Sequence, residues 1–160
     1  RLNNQACGFS YRSSIFKKRN NLLIVQVKLK LAKGAIEEIK ALSRNNFNHR
    51  FDSKPKEPSA GCVFKNLEYK KVIKQNKQLA ENLAAKGLVR GDKIGVGYLI
   101  DQLGLKGKTV GGAKVSEKHA NFIINTGQAK SRDVVCLINL IKRKIKHKYK
   151  INLEEEIQYF

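Results

Sequence analysis

The stretch Ser131 to Lys148 constrains this chain most, because it can only be an amphipathic helix that needs something to lie on. Val134, Leu137, Ile138, Ile141 and Ile145 recur at helical spacing and form one apolar stripe. Lysine and arginine fill the positions between them, and Ser131 reads as the N-cap of a helix over Arg132 to Lys148. The run Lys142 to Lys150 is most simply the wet face and tail of that helix, since Ile145 interrupts the charge at helical spacing.

Such a stripe asks for a sheet or further helices, and the rest of the chain offers both. Leu23 to Leu31 alternates apolar and polar residues and predicts a half-buried strand, ended by Lys33-Gly34. Ala35 to Asn46 predicts a helix with Ile36, Ile39 and Leu42 on one face. Phe47 to Pro58 reads as a basic loop and Cys62 to Phe64 as a short strand. Tyr69 to Lys86 reads as one polar helix with Gly87 as its C-terminal glycine, and Arg90-Gly91-Asp92 as a turn. Val96 to Leu103 predicts a short helix closed by Gly104. Asn121 to Asn125 predicts a buried strand, and Ile151 to Phe160 a last one. Helices and strands alternate without tandem βαβ units or repeats. The expected fold class is α+β: a small, mostly antiparallel sheet with helices packed on it.

The 160 residues amount to about one domain and suffice for a real core. No apolar run approaches the roughly 18 residues of a membrane span, so no membrane partner is expected. Arg1 to Ser10 has no apolar centre of the kind a secretory signal needs, and the chain's first residues read as the interior of a longer protein. Three cysteines, Cys7, Cys62 and Cys136, fit a reducing compartment better than a disulfide scaffold; with three histidines and no paired spacing they predict no metal site. The net charge is +20, from 33 basic and 13 acidic residues. Such an excess suits an anionic partner. The lysines are spread along the chain, however, and neither a helix-turn-helix pattern nor interleaved basic and aromatic residues accompanies them. A basic nucleic-acid-binding module is therefore the alternative, and no nucleic acid is expected.

Pro58-Ser-Ala-Gly-Cys-Val-Phe-Lys-Asn66 is the stretch most suggestive of chemistry. Ala60 and Gly61 let backbone approach a ligand, and Cys62 follows with an S–H group placed for proton transfer. Taken alone, it equally describes a glycine turn leading to a buried cysteine that packs as a small hydrophobe.

That stretch resembles a block of the UDP-N-acetylenolpyruvoylglucosamine reductase family. So do Phe9-Ser-Tyr-Arg-Ser-Ser-Ile-Phe-Lys17, Tyr98-Leu-Ile-Asp-Gln-Leu-Gly-Leu-Lys-Gly107, Gly111-Gly-Ala-Lys-Val-Ser-Glu-Lys-His-Ala-Asn-Phe-Ile-Ile-Asn125 and Leu153-Glu-Glu-Glu-Ile157. The blocks keep the family's order and span almost the whole chain. The resemblance implies a cytoplasmic flavoprotein of peptidoglycan precursor synthesis that uses FAD and NADPH to reduce the enolpyruvyl ether of UDP-N-acetylglucosamine to UDP-N-acetylmuramate. It implies that residues 1–20 are the end of an FAD-binding region and residues 21–160 a C-terminal substrate-binding domain. The main FAD-binding domain lies outside these residues, and a monomer is expected. These residues by themselves are expected to be inactive; a non-catalytic relative that binds nucleotide sugar is a further alternative.

By resemblance, Arg12 matches the family's catalytic arginine, Cys62 its proton donor and Glu156 its catalytic glutamate. Tyr11, Arg50, Lys54, Asn66, Lys93 and His119 match positions around the UDP-sugar substrate. Read singly, Arg12 is an ordinary surface arginine, Glu156 a solvated acid and His119 a structural histidine. The chain departs from the family pattern where Cys62 replaces the usual serine, where Leu67 replaces a proline, and in a longer stretch from Leu67 to Lys93.

Overall fold

The computed structural model describes residues 1–19 and 21–159. The chain divides into two compact units, Arg1–Asn46 and Phe47–Phe160. Among the described residues no helix is long and apolar enough to cross a membrane.

The first unit holds little regular structure. A tight turn closes where Ser10 and Ser13 exchange backbone hydrogen bonds of 3.0 and 3.1 Å around Tyr11-Arg12. A one-turn helix, α1 (Ile15–Lys18), follows. The alternating stretch Leu23 to Leu31 forms no strand, and Leu23, Val25, Leu29 and Leu31 are all more than 70% exposed. A strand needs a neighbour to take its backbone N–H and C=O groups. Among its described residues the first unit contains no other strand to supply one.

The helix α2 (Ile36–Ser53) crosses the boundary between the units and runs beyond the Asn46 expected from sequence. Phe47 and Phe51, one turn apart, stack with ring centroids at 6.2 Å, and the Lys56 ammonium lies over the Phe51 ring at 4.3 Å. This pairing carries the helix through the first part of what the sequence reads as a loop.

The second unit is the α+β domain. Its main sheet has the order β1-β7-β6-β5, all antiparallel, from β1 (Ser59–Cys62), β5 (Thr109–Val110), β6 (Ala113–Val115) and β7 (Phe122–Asn125). A smaller sheet, β2-β4-β3, is built from β2 (Leu67–Glu68), β3 (Val89–Arg90) and β4 (Lys93–Ile94). Gly91, with φ +62°, and Asp92 make the turn between β3 and β4.

The expected single helix over Tyr69 to Lys86 is two helices, α3 (Tyr69–Gln75) and α4 (Lys77–Ala85). Asn76 breaks them apart with φ −156° and ψ 87°. Its side-chain oxygen accepts the Leu79 N–H at 3.0 Å and caps α4, while its amide donates to the Tyr149 carbonyl at 3.0 Å. After α4, Gly87 at φ +66° closes the helix; its N–H reaches the Ala84 carbonyl and the Leu88 N–H reaches Leu83. The short helix α5 (Val96–Asp101) buries Val96, Leu99 and Ile100.

The helix α6 (Ser131–Tyr149) packs across β5 and β6, and its predicted stripe forms the centre of the core. Leu137, Ile138, Ile141 and Ile145 are at most 1% exposed, packed with Phe64, Ile94, Leu99, Val115 and Ile151. Burying each such side chain is worth about 1.5–3 kcal/mol, which explains why the helix is specified so clearly by its pattern. Lys130 is the N-cap, one residue earlier than expected, because the Asp133 carboxylate accepts its N–H at 3.0 Å. The same carboxylate accepts the Gly112 N–H at 3.3 Å and so ties the β5–β6 turn to the start of α6.

Beyond Lys150 the described residues form no regular strand. The expected last strand is reduced to one antiparallel bridge, Phe64 to Glu155.

Candidate functional site

The site is built outward from Gly61. On β1, Ser59 pairs with Ile124 and Cys62 with Phe122, and the register shifts between them, which marks a bulge. Gly61 makes it possible, with a φ of +85° that other residues rarely adopt. A bulge re-aims the side chain that follows it, and here that side chain is the half-buried Cys62.

Past Cys62 the backbone is gripped by Asn121, which is 2% exposed. The Asn121 carbonyl accepts the Val63 N–H at 2.8 Å. Its side-chain oxygen accepts the Phe64 N–H at 3.0 Å, and its amide donates to the Phe64 carbonyl at 2.8 Å. A buried amide with all these groups satisfied fixes one backbone course.

The acidic triplet Glu154 to Glu156 is held on the other side of the same segment. The Glu156 N–H donates to the Val63 carbonyl at 2.8 Å, and the Lys65 N–H donates to the Glu154 carbonyl at 2.9 Å. Side chains reinforce this. The Glu154 carboxylate pairs with the Lys65 ammonium, and the Glu155 carboxylate with Lys142 on α6. The Tyr159 hydroxyl donates to the second Glu155 oxygen at 2.6 Å. Burial pushes the Glu155 carboxyl up, but the hydrogen bonds from Lys142 and Tyr159 outweigh it and hold the group below the ordinary carboxylate range. Burial and the hydrogen bond to Glu155 push the Tyr159 phenol up to about 12.

Phe122, opposite Cys62, gathers two more of the expected residues. The His119 ring meets it edge-on at 4.9 Å, and the Lys54 ammonium lies 5.1 Å from its ring centroid. The His119 Nδ1 accepts the Asn121 N–H at 3.2 Å, which leaves the proton of a neutral ring on Nε2. Burial lowers the His119 pKa, and the Lys54 charge lowers it further.

The structure therefore gathers four of the expected residues along this edge of the second unit. Cys62, Lys54 and His119 meet around Phe122, and Glu156 is hydrogen-bonded to the residue after Cys62. Arg50 is exposed on the last turn of α2, and its carbonyl accepts the Lys54 N–H at 3.1 Å. Asn66 is exposed just before β2. Lys93 sits on the smaller sheet, 3.2 Å from Asp92 and 4.0 Å from Glu68. Tyr11 and Arg12 belong to the first unit. There Arg12 has φ +54°, unusual for a residue with a side chain, and its guanidinium carbon is 5.8 Å from the Tyr11 ring centroid. Sequence reasoning missed Asn121, Lys142, Glu155 and Tyr159. The one available signal was an amide at the head of the apolar run Phe122 to Ile124.

The chain is similar to known proteins along almost its whole length. The sequence model described as UDP-N-acetylenolpyruvoylglucosamine reductase, C-terminal domain, matches residues 53–160. A UDP-N-acetylenolpyruvoylglucosamine reductase of Fervidobacterium nodosum is 42% identical over 159 residues, covering 99% of this chain and 44% of the relative. Its counterpart in Thermotoga maritima is 37% identical over 151 residues, covering 94% of this chain and 45% of the relative. The crystal structure of UDP-N-acetylenolpyruvylglucosamine reductase from Thermus caldophilus superposes with a TM-score of 0.68 at 32% identity, covering 96% of this chain and 46% of that one. The chain thus spans a little under half the length of these relatives. With the family's C-terminal domain matched across the α+β unit that carries Cys62 and Glu156, the chain belongs to the UDP-N-acetylenolpyruvoylglucosamine reductase family.

Proposed function

We propose that this chain supplies the substrate side of a reductase that converts the enolpyruvyl ether of UDP-N-acetylglucosamine to UDP-N-acetylmuramate, a step of cytoplasmic peptidoglycan precursor synthesis. A hydride is added to the methylene carbon and a proton to its neighbour, and negative charge develops on the adjoining carboxylate between the two events. The chain's own residues answer each need. Arg12 offers a planar cation for that carboxylate. Cys62 delivers the proton, which requires the protonated thiol. Glu156 completes the catalytic set at the reacting carbons. Lys54 and the Nε2–H of His119 face the diphosphate, with Arg50, Asn66, Lys93 and Tyr11 as further contacts.

FAD, reduced by NADPH, supplies the hydride when bound in the full-length enzyme. The glycine-lined hollow at Gly111, Gly112 and Gly127 has Asp133 on its wall beside Lys130 and Arg132, and the Asp133 carboxylate already takes the Gly112 and Lys130 N–H groups that a phosphate would need. No step is therefore assigned to flavin within these residues.

The observation that carries this reading is the hydrogen bond between the Glu156 N–H and the Val63 carbonyl, which brings the glutamate's backbone beside the cysteine's although the two are far apart in sequence. The test is made on the full-length enzyme in single turnover. Cys62→Ser is expected to retain substantial reduction of the enol ether, and Cys62→Ala to lose about 10²-fold or more, with flavin reduction by NADPH intact in both. Equal rates in the two variants would remove the proton-donor role.

A further inference from the structure

We propose that Lys142 and Tyr159 are positioning residues, which use the Glu155 carboxylate to fix the segment carrying Glu156 against the strand carrying Cys62. The inference rests on the reading of Glu156 and Cys62 given above and adds the groups that hold them in register.

Among the described residues the segment after Lys150 has no sheet of its own, and its one bridge is to Phe64. The bridge sits on the buried Phe64, and Ile151 and Leu153 of the same segment are buried in the core. Core packing thus holds the segment to the domain, and what is left to fix is the orientation of Glu155 and Glu156 at its half-buried end. Glu155, the residue directly paired with Phe64, has separate donors on its two oxygens: the Lys142 ammonium on one and the Tyr159 hydroxyl on the other, at 2.6 Å. Two donors fix a carboxylate's orientation as one does not. Its side chain is 19% exposed, so the pair is screened less than the chain's fully solvated ion pairs.

The two donors come from different places. Lys142 follows the fully buried Ile141 on α6 and so inherits that helix's rigidity. Tyr159 lies four residues beyond Glu155 and closes the segment on itself. Glu154 differs in this respect. It pairs with Lys65, and its carboxylate is 72% exposed, a setting in which an ion pair contributes little. Glu155 is thus the anchor, and Glu156 is carried beside it. A displacement of about 1 Å in a reacting group can cost about 10²-fold in rate.

The experiment uses the full-length enzyme with FAD and two readouts. Amide hydrogen exchange at Glu156 reports the Val63 bond, and single-turnover kinetics separate flavin reduction from enol-ether reduction. Lys142→Met and Tyr159→Phe are each expected to speed exchange at Glu156 and to slow enol-ether reduction by about tenfold, with KM and flavin reduction unchanged. Lys142→Arg, which keeps a cation, restores the rate. Parental rates in Lys142→Met and Tyr159→Phe, with Glu156→Gln slow, would overturn the positioning role and leave the catalytic one standing. An equal loss in both half-reactions also overturns it, because a general folding defect does not discriminate between them. If Glu156→Gln itself reacts at the parental rate, the catalytic reading fails, and the proposal with it.

Discussion

At the scale of single residues, a methyl group decides whether the β5–β6 turn can meet α6. A Cβ on Gly112 would lie 2.4 Å from the Ala129 nitrogen and 2.5 Å from the Gln128 carbonyl carbon, both backbone atoms. No side-chain adjustment relieves such a contact, so the turn or the Gln128-Ala129 segment leading into α6 has to move. Gly112→Ala is expected to destabilise the fold by about 1–3 kcal/mol, the usual cost of overpacking, read as a lower urea midpoint. The sequence shows this pair of glycines but not what it faces. The same holds for the site. Gly61, Cys62 and Glu156 stand out because whole blocks match a family. The role of Asn121 rests on a partner 57 residues away, and no local pattern reports a contact of that range.

Secondary-structure elements show the same division between local and long-range causes. The stripe of α6 was legible because burial on one helical face repeats every few residues, and four of its five apolar positions are buried. Leu23 to Leu31 has an equally clean pattern, yet it forms no strand among the described residues. Alternation encodes which face is apolar, and pairing needs a partner edge. The break between α3 and α4 was invisible for another reason. Asn76 sits within a helical pattern, and only its bonds to Leu79 and Tyr149 make the break the preferred course. Asn76→Ala removes the cap and leaves the Tyr149 carbonyl without this donor. It is expected to cost about 1–2 kcal/mol, checked by denaturant unfolding. Asn76→Asp, which keeps the capping oxygen but loses the amide donor, is expected to recover part of that loss.

For the whole molecule, the composition's +20 charge suits an anionic partner and gives it no place on the fold. The structure sets one of these cations, Lys54, beside Phe122 and His119 in the neighbourhood of Cys62. Stability against pH follows from the same neighbourhoods. His119 has its pKa lowered from 6.5 in the fold. Below 6.5 the unfolded chain binds the proton more readily, so this contribution is complete above 6.5 and is lost as pH falls toward the folded value. Glu155 is lowered from 4.5, so its contribution is present above 4.5 and is lost as pH falls through its folded pKa. Tyr159 is raised from 10 to about 12. Its contribution is complete below 10 and is lost as pH climbs toward 12. The urea midpoint is therefore expected to decline on both sides of a neutral to mildly alkaline plateau. His119→Gln should flatten the decline just below 6.5 and leave the alkaline limb alone, whereas Tyr159→Phe should flatten the alkaline limb and leave the His119 step in place. A midpoint that changes identically in both variants across the range would show that these two groups do not set the pH limits of the fold.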